Sequence, residues 1–222
     1  MFDKIENGKI ININFVCSGN TCRSYIAEAV STHLLRTVYF KKNPPIKDKI
    51  NIGSAGASVA LSEIPLNSCR VLDTIEVPNI KFAPTQLDES MIVSSDIIIT
   101  MTTSHKNCIF RDYGNFNEKK IFNLIELSNI ILYFQSEKIY SRTPYRRAPY
   151  RRARADELSK SKVISIIFSK ISKLKEINRE ELITARNLDI EDPFGKPFST
   201  YLRVARKIKE NISIIFDYLF GV

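Results

Sequence analysis

Residues 10–16, Ile-Ile-Asn-Ile-Asn-Phe-Val, run directly into Cys17-Ser18-Gly19-Asn20-Thr21-Cys22-Arg23-Ser24 and then into Tyr25-Ile26-Ala27-Glu28-Ala29-Val30. The first stretch is apolar and β-branched, the second small and polar, the third spaced as a helix. A strand that becomes a helix through so short a loop restricts the architecture. A strand leading straight into a helix opens a strand-helix alternation, which needs further strands to pair with it in parallel. The rest of the chain offers them. Lys49-Ile50-Asn51-Ile52 is a short β run closing on Gly53-Ser54-Ala55-Gly56, and the stretch from Asp96 through Ile97-Ile98-Ile99 to Thr100-Met101 reads as a strand buried on both sides. Lys119-Lys120-Ile121-Phe122-Asn123-Leu124 supplies a fourth. Helices are expected at about 23–37, 66–76, 85–92, from Ser104-His105-Lys106 onward, at 163–177 and from about Ser199. The apolar face of the 163–177 helix is Val163, Ile166, Ile167, Ile171, Leu174 and Ile177; that of the last is Leu202, Ala205, Ile208, Ile212, Ile215 and Leu219. The predicted fold is α/β, a doubly wound open sheet of about four parallel strands flanked by helices. In such sheets ligands bind beyond the carboxyl ends of the strands, where Cys17 falls.

With 222 residues, 44% of them hydrophobic, the chain can build one sizeable core. No apolar run reaches the ~18 residues of a membrane span, and the mixed-charge start, Met1-Phe2-Asp3-Lys4-Ile5-Glu6, lacks the layout of a signal peptide. Four cysteines, at 17, 22, 69 and 108, are too sparse for a disulfide scaffold and match no common zinc spacing. A cytoplasmic, reducing location is expected, with cysteine used for chemistry. The net charge of +9 is uneven: residues 133–160 hold eight Lys/Arg against three Asp/Glu. Within them Pro-Tyr-Arg-Arg-Ala occurs twice, at 144–148 and 149–153. This Arg-rich segment, 141–155, reads as a solvated linker or docking arm, or as a nucleic-acid contact in which Tyr stacks on bases and Arg meets phosphates.

Cys17 to Ser24 offers a phosphoryl group a complete set of contacts. Ser18 and Gly19 let the backbone curl so that successive N–H groups face inward, and the start of the helix adds its positive end. Arg23 brings a permanently charged fork that grips two phosphoryl oxygens at once. The same field stabilises Cys17 as the thiolate, the reactive form. A thiolate in line with a phosphoryl group forms a phosphocysteine and splits one difficult step into two. The leaving atom needs a proton and the second step an activated water; one carboxylic acid on a loop serves both, and Asp192 in Ile190-Glu191-Asp192-Pro193-Phe194-Gly195 is the candidate. The competing reading is an ordinary strand-turn-helix with a buried cysteine and a helix-start arginine.

These residues resemble the low-molecular-weight protein-tyrosine-phosphatase family, whose loop Val-Cys-x-Gly-Asn-x-Cys-Arg-Ser is met by Val16 to Ser24. The resemblance continues through Ser54-Ala55-Gly56, residues 96–101 and Asp192-Pro193, and covers about 10–130 and 188–220. It implies Cys17, Arg23 and Asp192 as catalytic residues, Ser18, Gly19, Asn20, Thr21, Cys22 and Ser24 around the phosphate, phosphorylated proteins as substrates, and no metal or cofactor. In this family phosphotyrosine enzymes usually carry an aliphatic residue at the position of Thr21, whereas the branch resembling bacterial protein-arginine phosphatases carries Thr, with Phe-Gly after Asp-Pro. Thr21, Phe194 and Gly195 follow the latter pattern. The resemblance thus favours phosphoarginine, with phosphotyrosine as the alternative. It also implies that Cys17 and Cys22 can form a reversible disulfide, against the plainer reading of Cys22 as a buried thiol. Tyr25 stands where the family generally has Pro, and about 131–187 looks like an insertion within a single domain spanning 1–222. Asn20, Ser24 and Ser54 are expected to brace the loop, His33 and His105 to sit at helix surfaces or ends, and Cys69 and Cys108 to be structural. A non-catalytic anion- or nucleic-acid-binding module needs neither Cys17 nor Asp192, and an arsenate reductase would want further relay cysteines.

Overall fold

The computed structural model describes residues 10–114, 118–140, 160–179 and 187–221. Four parallel strands form one sheet in the order β2-β1-β3-β4: β1 Ile11–Cys17, β2 Ile50–Gly56, β3 Ile97–Thr100 and β4 Ile121–Asn123. Around them lie α1 Arg23–Leu34, α2 Leu66–Thr74, α3 Glu89–Ser94, α4 Thr103–Tyr113, α5 Leu124–Tyr140, α6 Lys160–Lys175 and α7 Phe198–Phe220. The doubly wound α/β architecture is the one expected.

Strand alternation sorts the core into two layers. Ile11, Ile13, Phe15 and Cys17 of β1, with Ile97 and Ile99 of β3, face the larger layer, together with α1, α5, α6 and α7. Val16 and Ile98 face the smaller layer with Leu87, Ile92, Ile109 and Ile121. Because β1 is central and its last residue pairs with Gly56, Cys17 emerges between neighbours at the carboxyl edge of the sheet.

Several elements differ in extent from the sequence reading. Chain following α1 stays helical to Lys42, through a wider turn at Leu35–Tyr39, and stops before Asn43-Pro44. Strand β2 runs on through Ser54-Ala55-Gly56 because β1 pairs with it along its whole length. The helix expected from Thr85 begins only at Glu89, capped by Asp88, whose Oδ1 accepts the Met91 N–H at 2.7 Å. Thr85 and Leu87 are taken instead by Gly56, whose N–H donates to Thr85 O and whose carbonyl accepts from Leu87 N–H, both at 2.8 Å.

The additional helix α6 buries Val163, Ile164, Ile167, Ile171 and Leu174 in the larger layer, while Ile166 and Ile177 are only half-buried. Beyond its end, Arg179 lies over the Phe122 ring at 3.9 Å and donates to Ile121 O at 2.6 Å. Helix α7 buries the predicted stripe except Leu202, which is half-buried. The Arg-rich repeat, 141–155, lies outside the described residues. Among those described, no helix is long and apolar enough to cross a membrane.

Candidate active site

The loop between β1 and α1 is held in shape from behind. Asn20 sits in the left-handed region at φ 55°, which Asn tolerates better than most residues. Its Nδ2 donates to Ser24 Oγ at 2.9 Å and Ser54 Oγ at 2.8 Å, and its Oδ1 accepts the Thr85 N–H at 2.8 Å. Ser54 in turn donates to Glu28 Oε2 at 2.6 Å, a carboxyl whose pKa burial raises. The bracing bonds expected of Asn20, Ser24 and Ser54 are therefore present, and Glu28 extends them. Ser24 Oγ lies 3.0 Å from Cys17 Sγ. Since Ser24 accepts from Asn20, its own proton is available to the sulfur, as a thiolate needs.

Gly56 lets the neighbouring backbone press against this loop. A β-carbon there would sit 2.6 Å from Ser18 O and 3.0 Å from Asn20 N. The close approach is used: Cys17 O accepts the Ala57 N–H at 2.8 Å and Ser18 O the Ser58 N–H at 2.9 Å.

Arg23, only 4% exposed, crosses the floor of the site. Its Nη2 donates to Asp192 Oδ2 at 2.7 Å, its Nη1 to Ile190 O at 3.3 Å, and its Nε is buried with no hydrogen-bond partner among the described residues. Asp192 thus meets the loop from the far end of the chain. Its segment is pinned by the Ile190 N–H to Met101 O at 2.8 Å and turns at Gly195, φ 71°. Next to it, Arg203 and then Lys196 hold the exposed Glu191 carboxyl down to about 2.

A cleft of about 300 Å³ opens between these parts, lined by Cys17, Ser18, Gly19, Thr21, Cys22, Arg23 and Asp192, with Leu61 and Phe194 as exposed apolar walls. Of the sequence-predicted site residues, Asn20 and Ser24 alone do not line it and lie behind the loop. Cys17 and Cys22 are both free thiols, and burial raises the pKa of Cys22.

Three further residues belong to the surroundings of the loop. Tyr201 brings its hydroxyl to 3.9 Å from Cys22 Sγ. Tyr25 turns its ring into the core against Phe82 and donates to Asn79 Oδ1 at 2.9 Å, which accommodates it at the helix start. His105, expected at a helix surface or end, is buried near the start of α4 with Nε2 2.8 Å from Ser18 Oγ. A lone histidine carried no signal; Thr102-x-x-His105 is a helix-capping spacing, which places the His105 backbone N–H and not its ring.

A cysteine and a buried arginine on a strand-loop-helix seam, with an aspartate paired to that arginine, define a phosphate-handling thiol site. Residues 12–136 match the low molecular weight phosphotyrosine protein phosphatase family, and the chain belongs to it. A low molecular weight protein-tyrosine-phosphatase from Staphylococcus epidermidis is 33% identical over 118 residues, 52% of this chain and 73% of that protein. A protein-arginine-phosphatase from Bacillus subtilis is 27% identical over 118 residues, 52% and 71% of the two chains. A solution structure of a low molecular weight protein tyrosine phosphatase from Bacillus subtilis shares the fold, with a TM-score of 0.59 and 20% identity over 94% of this chain and 97% of that one. The chain is a cysteine-dependent protein phosphatase.

Proposed function

We propose that the enzyme hydrolyses phosphoarginine on proteins through a phosphocysteine on Cys17, with Arg23 and Asp192 as its catalytic partners. The observation that carries this reading is the Arg23 guanidinium, buried in the floor of the cleft, held at Nη2 by Asp192, and keeping an Nε–H with no hydrogen-bond partner among the described residues. Such a fork suits a phosphoryl dianion. The Cys17 thiolate attacks phosphorus, and the bond from phosphorus to the side-chain nitrogen breaks while Asp192, displaced from Arg23 by the phosphoryl dianion and protonated from solvent, gives that nitrogen its proton. Asp192, now a carboxylate, takes a proton from the water that attacks phosphorus, and the thiolate leaves as inorganic phosphate forms. Backbone N–H groups of the Ser18 to Cys22 loop and Arg23 carry the charge of both transition states.

Thr21 supports phosphoarginine over phosphotyrosine. It is 5% exposed, lines the cleft, and presents a hydroxyl where an aliphatic side chain offers only packing. A guanidinium gains a polar contact there, and a phenyl ring gains none. Phosphotyrosine is the second reading, favoured by the Leu61 and Phe194 walls. We read 1–222 as one cytoplasmic domain carrying an insertion at about 131–187, and the Arg-rich segment as a linker or docking arm.

The test is turnover of phosphoarginine and phosphotyrosine peptides side by side. Wild type is expected to favour phosphoarginine, Thr21→Ile to move the ratio toward phosphotyrosine, and Cys17→Ser to abolish both activities. An unchanged ratio in Thr21→Ile defeats the specificity reading; full activity in Cys17→Ser defeats the mechanism.

A further inference from the structure

Thr102 caps α4. Its Oγ1 accepts the His105 backbone N–H at 3.2 Å and lies 2.9 Å from His105 Nδ1. This folds the imidazole back toward the cleft, where Nε2 is 2.8 Å from Ser18 Oγ. Ser18 also accepts from Arg23 Nη2 at 3.4 Å and lines the cleft beside Cys17. His105 itself is 6% exposed and has no part in the chemistry above.

Counting protons leaves two assignments, which differ in the hydroxyl that keeps a spare proton: half-buried Thr102 or Ser18, exposed in the cleft. A hydroxyl has one proton and two acceptor lone pairs. A spare proton costs less on the exposed Ser18, and in that assignment Thr102 Oγ1 gives one lone pair to the backbone N–H and donates its proton to Nδ1. Nδ1 is then the accepting nitrogen, the ring proton sits on Nε2, and Nε2–H donates to Ser18 Oγ. Arg23 Nη2–H fills the second lone pair of Ser18. The proton of Ser18 is left to point away from both donors.

We propose that His105 is a positioning residue that, as the neutral Nε2–H tautomer, turns the Ser18 hydroxyl so that it donates to a phosphoryl oxygen held over Cys17. Burial first, then the Arg23 charge, pulls the ring down to about 4 against the opposing Asp192 and Asp189. The imidazole therefore sets a hydrogen-bond direction without adding a second cation beside Arg23. The inference deepens the phosphatase reading and rests on it.

The experiment compares His105→Ala, His105→Gln, His105→Asn, Ser18→Ala and the Ser18→Ala/His105→Ala double variant. Two quantities are read: kcat/KM on p-nitrophenyl phosphate and the dissociation constant of inorganic phosphate by calorimetry. His105→Ala is expected to weaken phosphate and lower kcat/KM about tenfold, the effect of one hydrogen bond to a charged group. His105→Gln, whose amide N–H reaches Ser18, should stay within about threefold of wild type. His105→Asn, which reaches Thr102 only, should resemble His105→Ala and stands in for it if His105→Ala fails to fold. The double variant should be no worse than Ser18→Ala. Equal losses in His105→Gln and His105→Asn, no loss in His105→Ala, or multiplied losses in the double variant overturn the proposal. If wild type shows no Cys17-dependent turnover, the phosphatase reading fails, while the phosphate titration still decides the role of His105.

Discussion

Gly56→Ala is the substitution whose outcome the structure constrains most tightly. The added methyl lands 2.6 Å from Ser18 O, 2.7 Å from Val59 Cγ2 and 3.0 Å from Asn20 N. The Val59 methyl can turn aside, but the other two contacts are backbone atoms of the Cys17 loop. Ser18 O would have to retreat by about 0.8 Å to reach ordinary contact. That movement pulls against the Ser58 N–H bond at 2.9 Å on one side and the Asn20 bonds on the other. Overpacking of this kind costs about 1–3 kcal/mol, a melting temperature lower by roughly 2–10 °C for a chain of this size. Activity should suffer more, because a shift approaching an ångström in groups aligned for reaction costs up to ~100-fold. We expect the purified variant to fold and to show kcat/KM on p-nitrophenyl phosphate lower by roughly 10–100-fold. Circular dichroism melts and steady-state kinetics on the same preparation measure both quantities. A variant melting with wild type and turning over at the wild-type rate would refute the claim that this close approach shapes the loop.

Stability should depend on pH through His105. Its unfolded value is near 6.5 and its folded value about 4, so below pH 6.5 the unfolded chain takes up a proton that the folded chain refuses. Stability from this group is complete above pH 6.5 and falls by up to about 3 kcal/mol by pH 4; urea titrations of wild type and His105→Gln should diverge over that window and nowhere above it. Glu191→Gln removes the exposed pairs to Arg203 and Lys196 at 2.6 and 2.9 Å. It should change kcat/KM by less than about threefold in low salt, and the difference should vanish at high salt. Asn20→Ala loses three hydrogen bonds and leaves a less tolerant residue at φ 55°; denaturant melts should show a loss of about 2–4 kcal/mol.

The strand-loop-helix seam was legible because its chemistry is local: apolar β-branched residues, then small ones, then helical spacing. Asp192 was legible only through the Asp-Pro pair, since nothing local connects it to Arg23 across 169 residues. The end of β2 was hidden because Ser54-Ala55-Gly56 reads as a turn by propensity and becomes strand through pairing with β1 and Thr85. Ile164 replaced Ile166 in the core because periodicity locates a face and not its centre line. His105 was missed for a different reason. Its role is set by an inward rotation at the start of α4 and by a partner 87 residues away, and neither leaves a pattern in sequence.

Helix α5 leaves the catalytic edge of the sheet directly after β4 and runs 17 residues, about 25 Å, before reaching Tyr140. Helix α7 covers a similar length between Tyr201, beside Cys22, and Tyr218, whose carbonyl accepts from Lys170 of α6 at 2.7 Å. Helix α5 therefore ends, and α6 begins, toward the pole remote from the cleft, where Phe134, Lys162 and Tyr218 line one hollow. Whatever sequence joins those two helix ends, the Pro-Tyr-Arg-Arg-Ala repeat included, is thus attached to the fold at the end opposite the one that carries Cys17.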